Sequence, residues 1–169
     1  MGAYFMNEVR PIVAESVALP LLQDVDHRAL VVDYNATTAH YPSDRTIIDL
    51  FHDQVMLSPD AEAIRFGDAM LTYRQLDERS NQMAAHLGSK GVGSGRIIVV
   101  FMEHSIEVVV AILGVLKAGA AYVPIDAATP KGRIATILKD ISDGTGGQTP
   151  VAITQARLRS AIAPDLADI

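Results

Sequence analysis

Residues 97–126 read IIVVFMEHSIEVVVAILGVLKAGAAYVPID, and the order of apolar runs and polar breaks in this stretch decides the fold. The continuous apolar run 97–102 is typical of a strand that is covered on both faces, as the strands of parallel sheets are. Ser105 can cap a helix over residues 106–117, and residues 121–125 form a second short strand. A strand, a helix and a strand in this order predict one unit of a parallel α/β sheet.

The same alternation continues downstream. Thr129-Pro130 can open a helix whose apolar residues recur at helical spacing up to Ile141, and residues 151–154 form a third strand. Parallel strands that are joined through helices have right-handed crossovers. The sequence therefore predicts an α/β fold with part of a doubly wound parallel sheet.

Upstream, the pattern predicts a helix, a small hairpin and a second helix. Apolar residues recur at helical spacing over residues 46–58, up to a Ser-Pro stop. Residues 63–66 and 70–73 are two short strands around a Gly-Asp turn. Thr72 and Gln75 can form a capping box, in which each side chain binds the backbone N–H of the other residue. The helix that follows carries its apolar face on Leu76, Met83, Ala84 and Leu87.

The first part of the chain differs from the rest. Residues 1–18 can form a helix, and residues 19–22 form a short apolar segment. Asp24 or Asp26 can cap a further helix that continues through Val31. The N-terminal region is therefore predicted to be helical.

A linker separates this region from the α/β part. Residues 35–43 are polar and contain a proline, which is typical of a connecting segment. We place a domain boundary there, with residues 1–45 as one unit and residues 46–169 as the other.

Composition excludes several classes of function. The chain has 169 residues, enough for one domain with a core, and a net charge of −6, whereas nucleic-acid binding requires a basic face. The absence of cysteine excludes disulfides, thiolate metal sites and cysteine nucleophiles. Charged residues interrupt the first 22 positions, so no signal peptide is predicted, and no apolar stretch reaches the roughly 20 residues of a membrane span. We expect a cytoplasmic protein that binds neither nucleic acid nor a membrane.

Two segments carry a family resemblance. Residues 71–76, LTYRQL, resemble the first core motif of the adenylation domains of nonribosomal peptide synthetases, with Gln75 where glutamate is usual. Residues 116–126, LKAGAAYVPID, match the second core motif of that family over all 11 positions. The first motif alone would be weak, but the length of the second makes it specific. The chain resembles the N-terminal segment of an adenylation domain of this AMP-binding, adenylate-forming family.

The flanks agree with this resemblance. In chain order they resemble the end of a condensation domain, its linker to the adenylation domain, the entry helix and the helix after the second motif: residues 1–22, 23–42, 46–59 and 130–140. The resemblance implies that residues 1–45 are a condensation-domain tail and linker. Residues 46–169 would be a truncated N-terminal portion of the adenylation domain.

The chain departs from the family pattern after the second motif. Ala127 stands where proline is usual, and Thr129 where tyrosine is common. Residues 142–150 are longer and richer in glycine than the usual turn. These departures concern the geometry of the local loops.

The resemblance implies a function for the intact assembly. There, an adenylation domain activates an amino acid with ATP and Mg²⁺, and passes it to the phosphopantetheine of a downstream carrier domain. In the family, the phosphate loop and the substrate-binding residues follow the segment that this chain resembles, and none of them is present here. We therefore assign no catalytic, cofactor-binding or metal-binding residue here, and expect no catalysis from this chain alone. The amino-acid substrate and the peptide product are not encoded in this stretch.

The resemblance also implies partners. The rest of the synthetase, or a complementary chain, is the first. In this family, small MbtH-like proteins dock near the segment after the second motif, which makes Asp126, Ala127, Pro130 and Arg133 a possible partner surface. The plain structural interpretation is a buried strand that ends in a turn, with Asp126 hydrogen-bonded to the loop.

Three further patterns favour structural interpretations. Residues 142–147 are rich in glycine, but they lead into a strand and lack a following Lys-Gly, so we interpret them as a surface turn and not a phosphate loop. Residues 103–105, Glu-His-Ser, follow a strand, but they contain no glycine to let the backbone approach the pyrophosphate of a dinucleotide. We also do not interpret them as a catalytic triad, because neighbours in sequence rarely converge in that way. No two histidines lie at helical metal-ligand spacing.

Two alternatives stay open. The chain can be a free-standing interaction or scaffold protein derived from an adenylation domain, because a partial sheet leaves an edge strand and apolar faces to cover, and self-association is then expected. It can also come from a related adenylate-forming enzyme, such as an acyl-CoA ligase. The condensation-type linker and the string Ala-Tyr-Val-Pro-Ile-Asp favour the peptide-synthetase branch.

Overall fold

The computed structural model describes residues 27–162. The chain divides into two compact units, Met1–Pro42 and Ser43–Ile169. The described helices and strands of the second unit are, in chain order, α1 (Ile47–Leu57), β1 (Glu62–Phe66), β2 (Ala69–Thr72), α2 (Tyr73–Ser89), β3 (Ile97–Met102), α3 (Ile106–Lys117), β4 (Ala121–Asp126), α4 (Lys131–Gly144), β5 (Val151–Thr154), a 3-10 turn (Ala156–Leu158) and α5 (Arg159–Ile162).

The described part of the first unit contains one short helical segment. Ala29–Asp33 is a π-helix, and Asn35 Nδ2 donates to the carbonyl oxygens of Leu30 and Val31 at 3.1 and 3.0 Å. The side-chain amide thus occupies carbonyl groups that the helix end leaves free. The predicted helix through Val31 is confirmed in position.

The remaining predictions for this unit divide into two groups. The helix at residues 1–18, the apolar segment 19–22 and the caps at Asp24 or Asp26 lie outside the described residues. Residues 36–42 are exposed and contain neither helix nor strand, as a connecting segment requires.

Strand β3 is the centre of the core. Its residues alternate between two faces, as in any strand. Val99 and Phe101 pack in one cluster with Leu138 of α4. Ile98 packs in another with Val115 of α3. Each of these side chains is almost wholly buried, so the continuous apolar run does belong to a strand that is covered on both faces.

The sheet around β3 is parallel. Its order is β4-β3-β5, so β4 and β5 lie on opposite sides of β3. Val99 stands opposite Val123 of β4 and Ala152 of β5. This order, with one helix cluster on each face, is the α/β doubly wound arrangement that the sequence predicts.

The prediction of a buried β4 strand is wrong. Of its six residues only Ile125 is buried, and Tyr122 remains 37% exposed. The reason is its place in the sheet: within residues 27–162, β4 pairs with β3 on one side and with no strand on the other.

The predicted hairpin and the predicted capping box at the start of α2 are confirmed. β1 and β2 pair antiparallel. Thr72 and Gln75 form the predicted capping box at the start of α2, and Thr46 and Asp49 form a second one at the start of α1. These boxes satisfy backbone N–H groups that a helix start leaves without partners.

Three local expectations need correction. Ser105 occupies the N-cap position of α3, but its side chain accepts no capping hydrogen bond. Helix α4 runs to Gly144, so the glycine-rich stretch begins as its last turn. Ile47 and Leu50 of α1, predicted on the apolar face, are exposed, because only the neighbouring face of the helix turns inward. Among the described residues, no helix is long and apolar enough to cross a membrane.

Candidate functional site

The carboxyl ends of the three parallel strands meet at one edge of the sheet, which we call the carboxyl edge. In open α/β sheets, ligands bind outside this edge. Glu103 follows β3, Asp126 ends β4 and Gln155 follows β5. These polar side chains come from three distant parts of the sequence, and the parallel topology brings them together.

Asp126 shapes the turn that contains the predicted partner surface. Its Oδ1 accepts from the backbone N–H of Ala128 at 2.7 Å, and its carbonyl oxygen accepts from Thr129 N–H at 2.9 Å. The backbone role that the sequence assigned to Asp126 is therefore confirmed. A short aspartate that binds the backbone two residues ahead is a common way to build a turn.

The other residues of that surface follow directly. Ala127 is partly buried against the core cluster that contains Ile125. Pro130 is the residue before α4, and Arg133 lies in the first turn of that helix. Asp126, Pro130 and Arg133 are exposed, so three of the four predicted residues are open to contact.

His104 lies next to Asp126. Its Nδ1 is 3.8 Å from Asp126 Oδ2, and its side chain is 87% exposed. At this distance and exposure the pair is a loose surface contact and not a general base held by a carboxylate. The sequence interpretation of residues 103–105 as a helix start is thus supported over a catalytic one.

Gln155 joins the ends of β3 and β5. Its Oε1 accepts from the backbone N–H of Glu103 at 3.4 Å, and its Nε2 donates to Ser105 Oγ at 3.5 Å. Arg157 adds an ion pair with Glu103, at 2.5 Å between Nη2 and Oε2. The crevice between these two strand ends is therefore occupied by the protein's own side chains.

Ser105 has a further role in this network. Its hydroxyl is hydrogen-bonded to the carboxylate of Glu107, which lowers the pKa of that carboxyl below its usual value, with a further contribution from the backbone N–H of Glu107. The lowered pKa makes this carboxylate a weaker base, so the hydrogen bond does not activate the Ser105 hydroxyl as a nucleophile. Beside this network, a shallow groove of about 290 Å³ runs between Val108, Pro124 and Asp126.

The glycine-rich turn has no free backbone donors for phosphate. The N–H of Thr145 donates to the carbonyl of Ile141, that of Gly146 to Asp143, and that of Gly147 to Ser142 at 2.8 Å. All three bonds close the C-terminal end of α4, where the helix dipole is negative and repels anions. Gly146 and Gly147 have positive φ angles of 71° and 85°, which this reversal requires.

The described residues 27–162 contain no group of three or more His, Asp or Glu side chains that could hold a metal ion. Thr154, at the end of β5, is a different feature: its Oγ1 is buried and has no hydrogen-bond partner within the described structure.

The structure also shows a polar cluster that the sequence interpretation missed. Lys117 Nζ donates to Asp77 Oδ1 at 2.6 Å, to Asn81 Oδ1 at 2.8 Å and to the carbonyl of Asp77 at 3.3 Å. Asn81 Nδ2 in turn donates to Asp77 Oδ2 at 2.9 Å. We call these three residues the Lys117 cluster. It joins the second sequence motif to the helix that begins in the first motif.

Comparison with known proteins identifies the family. A family model described as "AMP-binding enzyme" matches residues 51–144, which is more than half of the chain. The chain belongs to the AMP-binding enzyme family. Both sequence motifs lie within the matched residues, as do β3, α3, β4 and all of α4.

Curated relatives of this chain are peptide synthetases. It is 41% identical over 165 residues to one of the mycosubtilin synthase proteins of Bacillus subtilis, covering 95% of this chain and 6% of the relative. It is 44% identical over 115 residues to bacitracin synthase 1 of Bacillus licheniformis, covering 68% of this chain and 2% of that protein. The chain thus spans only a small part of the length of these relatives.

Solved structures agree. A nonribosomal peptide synthetase, FmoA3, in its AMPPNP-bound form is 36% identical, with a TM-score of 0.67, over 83% of this chain and 14% of that chain. Its form bound to alpha-methyl-L-serine-AMP gives 35% and 0.67 over 83% and 15%. The predictions of a peptide-synthetase adenylation segment and of its partial α/β sheet are confirmed.

Proposed function

We propose that this chain is the N-terminal scaffold of an adenylation domain that activates an amino acid with ATP in the complete synthetase. The observation that supports this proposal is that the charged side chains of the second motif, residues 116–126, are bound to other parts of the fold. Its lysine is saturated by the Lys117 cluster, and its aspartate binds the following turn. The motif's polar groups stabilise structure and are not directed at a substrate.

The described residues do not fit a bound triphosphate. The glycine-rich turn uses its N–H groups to close α4, and the crevice between the ends of β3 and β5 is bridged by Gln155 and the Arg157–Glu103 pair. We therefore propose that no residue of this chain takes part in the chemical steps. In the assembly, the amino-acid carboxylate would attack the α-phosphate of ATP, releasing pyrophosphate, with Mg²⁺ offsetting the phosphate charge. The thiol of phosphopantetheine on a carrier domain would then attack the aminoacyl-adenylate, forming a thioester and releasing AMP.

Exchange of labelled pyrophosphate into ATP tests the proposal. The 169-residue chain, with each of the twenty amino acids, should give no exchange above a protein-free control. A complete adenylation domain from a peptide synthetase is the positive control. Exchange that depends on both ATP and one amino acid would show that this chain is itself an enzyme, and would overturn the scaffold proposal.

The domain assignment belongs to the same proposal. Residues 1–45 would be the condensation-domain tail and linker, and residues 46–169 the adenylation portion. The division into Met1–Pro42 and Ser43–Ile169 supports a boundary within three residues of this position. Cytoplasmic location remains a prediction.

An MbtH-like partner is a further part of the proposal. Its support is the position of Asp126, Pro130 and Arg133, which are exposed on one continuous segment at the carboxyl edge. Calorimetric titration with a purified MbtH-like protein tests it. Arg133→Glu should weaken binding at least about tenfold if the surface is correct, since a reversed charge in a contact is repulsive. Lys90→Glu, beyond the end of α2, is the matched control and should bind like the parent chain.

A free-standing interaction protein is the second candidate, favoured by the unpaired side of β4. Ala121 N–H donates toward β3, to the carbonyl of Arg96 at 2.9 Å, so the alternate residues Tyr122, Pro124 and Asp126 present their nitrogens to the open side. Pro124 has no N–H, which weakens any added strand there. Self-association would therefore use side chains such as Tyr122. Sedimentation velocity at 5 to 200 μM, roughly the range for weak dimers, decides between a monomer and a dimer.

A further inference from the structure

In the proposed function, Lys117 of the second motif only stabilises the fold. The Lys117 side chain is only 10% exposed. Its ammonium group has three N–H donors, and the structure supplies three acceptors from Asp77 and Asn81. No donor remains for a substrate or a partner.

A third helix covers this saturated ammonium. The ring of Phe51, from α1, lies 5.2 Å from Lys117 Nζ, and the same ring is 6.2 Å from the ring of Tyr73. A cation over the face of an aromatic ring is attracted to it, more strongly where water is excluded. Phe51 therefore ties α1 to the α2–α3 pair in two ways, through this contact with the ammonium group and through packing against the apolar cluster that contains Leu76 and Val110.

The rest of α1 is weakly anchored. Val55 is the only buried residue among its 11 residues, and Ile47 is 63% exposed. A groove of about 540 Å³ opens beside Phe51, between Ile48 of α1 and Ala84 of α2. Elements with few buried contacts open locally at a lower free energy than the core of the same protein.

We propose that α1 is a separately opening helix, and that the contact of Phe51 with Lys117 is the clamp that sets how often it opens. Opening removes the ring from the Lys117 cluster and widens the groove, while β3 and α3 stay folded. The cluster itself remains closed, because its three hydrogen bonds lie within α2 and α3.

Hydrogen exchange of the 169-residue chain, followed by mass spectrometry, tests both parts. In the parent chain, the hydrogen-bonded amides of residues 51–57 should exchange at least about tenfold faster than those of residues 98–101, because local opening bypasses global unfolding. Phe51→Leu keeps an apolar group and removes the ring, and should accelerate exchange in α1 about fivefold while β3 is unchanged. Phe51→Tyr keeps an aromatic ring, so its α1 amides should exchange at the same rate as those of the parent.

Leu50→Ala is the matched control, because Leu50 lies on the exposed face of the same helix. It should leave exchange in α1 within about twofold of the parent, since leucine and alanine have similar helix propensities. Equal exchange rates in α1 and β3 of the parent would overturn the proposal. So would a Phe51→Leu chain that accelerates everywhere or unfolds throughout, because α1 would then not be separable. A Phe51→Tyr chain that behaves like the leucine variant would exclude the ring as the clamp.

Discussion

Lys117 and Asp77 are joined at 2.6 Å between Nζ and Oδ1, and this ion pair connects the last turn of α3 to the second turn of α2. The lysine is 10% and the aspartate 22% exposed, so the pair is largely removed from water. Removing one partner leaves the other charge partly buried without compensation, which costs more than a surface pair ever contributes.

Lys117→Met should lower the free energy of unfolding by about 2 kcal/mol, below the range for a fully buried pair because Asp77 keeps some contact with water. Urea denaturation followed by circular dichroism measures it. Lys139→Met is the control, since Lys139 and Asp143 form an exposed pair one helical turn apart that water screens, so this variant should lose much less stability. Equal losses in the two variants would contradict a special role for the Lys117 cluster. Adding Asp77→Leu to Lys117→Met should recover part of the loss, because no unpaired charge then remains.

Gly114 permits α2 and α3 to approach closely. A Cβ atom at this position would lie 2.6 Å from Met83 Cβ, which is too short for a real contact. Gly114→Ala should therefore destabilise the chain by about 1–3 kcal/mol in thermal or urea unfolding. Gly132→Ala, in α4 with nothing within 4 Å, should be neutral or stabilise by up to about 1 kcal/mol. Met83→Gly removes that Cβ, so a double-mutant cycle of Gly114→Ala with Met83→Gly should show a favourable coupling. The absence of any coupling would place the clash elsewhere.

The capping box of α2 should be worth a measurable amount. Thr72 Oγ1 accepts from Gln75 N–H at 3.3 Å, and Gln75 Oε1 accepts from Thr72 N–H at 3.0 Å. Thr72→Ala should cost about 1 kcal/mol in chemical unfolding, because the start of the helix loses its acceptor. Thr136→Ala, in the middle of α4, should cost nothing, since that hydroxyl only binds back to a carbonyl of its own helix. A cost at Thr136 equal to that at Thr72 would argue against a capping effect.

A substitution at Thr154 tests whether its buried hydroxyl has no hydrogen-bond partner. Thr154→Val keeps the shape of the side chain and removes the oxygen. A buried hydroxyl without a hydrogen bond is destabilising, so the valine chain should be more stable by about 1 kcal/mol in urea. A less stable valine chain would mean that the hydroxyl binds a group in solution. Thr129→Val, in the turn after β4, is a matched threonine outside the sheet and should change stability little.

Acid should loosen the start of α1 first. The backbone N–H and hydroxyl of Thr46 donate to Asp49 and lower the pKa of its carboxyl, and the hydrogen bond from Arg45 lowers the pKa of Asp53. A carboxyl with a lowered folded-state pKa contributes stability above its ordinary pKa, and loses it as pH falls through the folded value. Amide exchange or NMR shifts of α1, measured from pH 7 down to about 2, should show opening of the helix at the acid end. Asp49→Asn should flatten this dependence, and an unchanged pH profile in that variant would exclude the capping carboxylate as its source.

The helices and strands of residues 46–154 were predictable because their signals are local. The periodicity of apolar residues, the Thr72–Gln75 pair and the Thr129-Pro130 helix start act within a few residues, and each falls in or beside the predicted element. The second motif identified the family for the same reason, since eleven contiguous residues carry it. The wrong predictions arose where a local sequence pattern is compatible with two different structures. Ser105 could cap or bind elsewhere, and Ile47 could face inward or outward.

The sequence by itself determined the order of strands and helices, the family and the lack of a metal-binding pattern. Only the tertiary structure decided that β4 lies exposed beside β3, that Gln155 bridges the ends of β3 and β5, and that Lys117 is saturated by Asp77 and Asn81. The physical reason is separation along the chain. Lys117 and Asp77 are 40 residues apart, and Gln155 and Ser105 are 50 apart. Such pairs have no shared periodicity, and meet only because the parallel topology and the packing of α2 on α3 bring their backbones together.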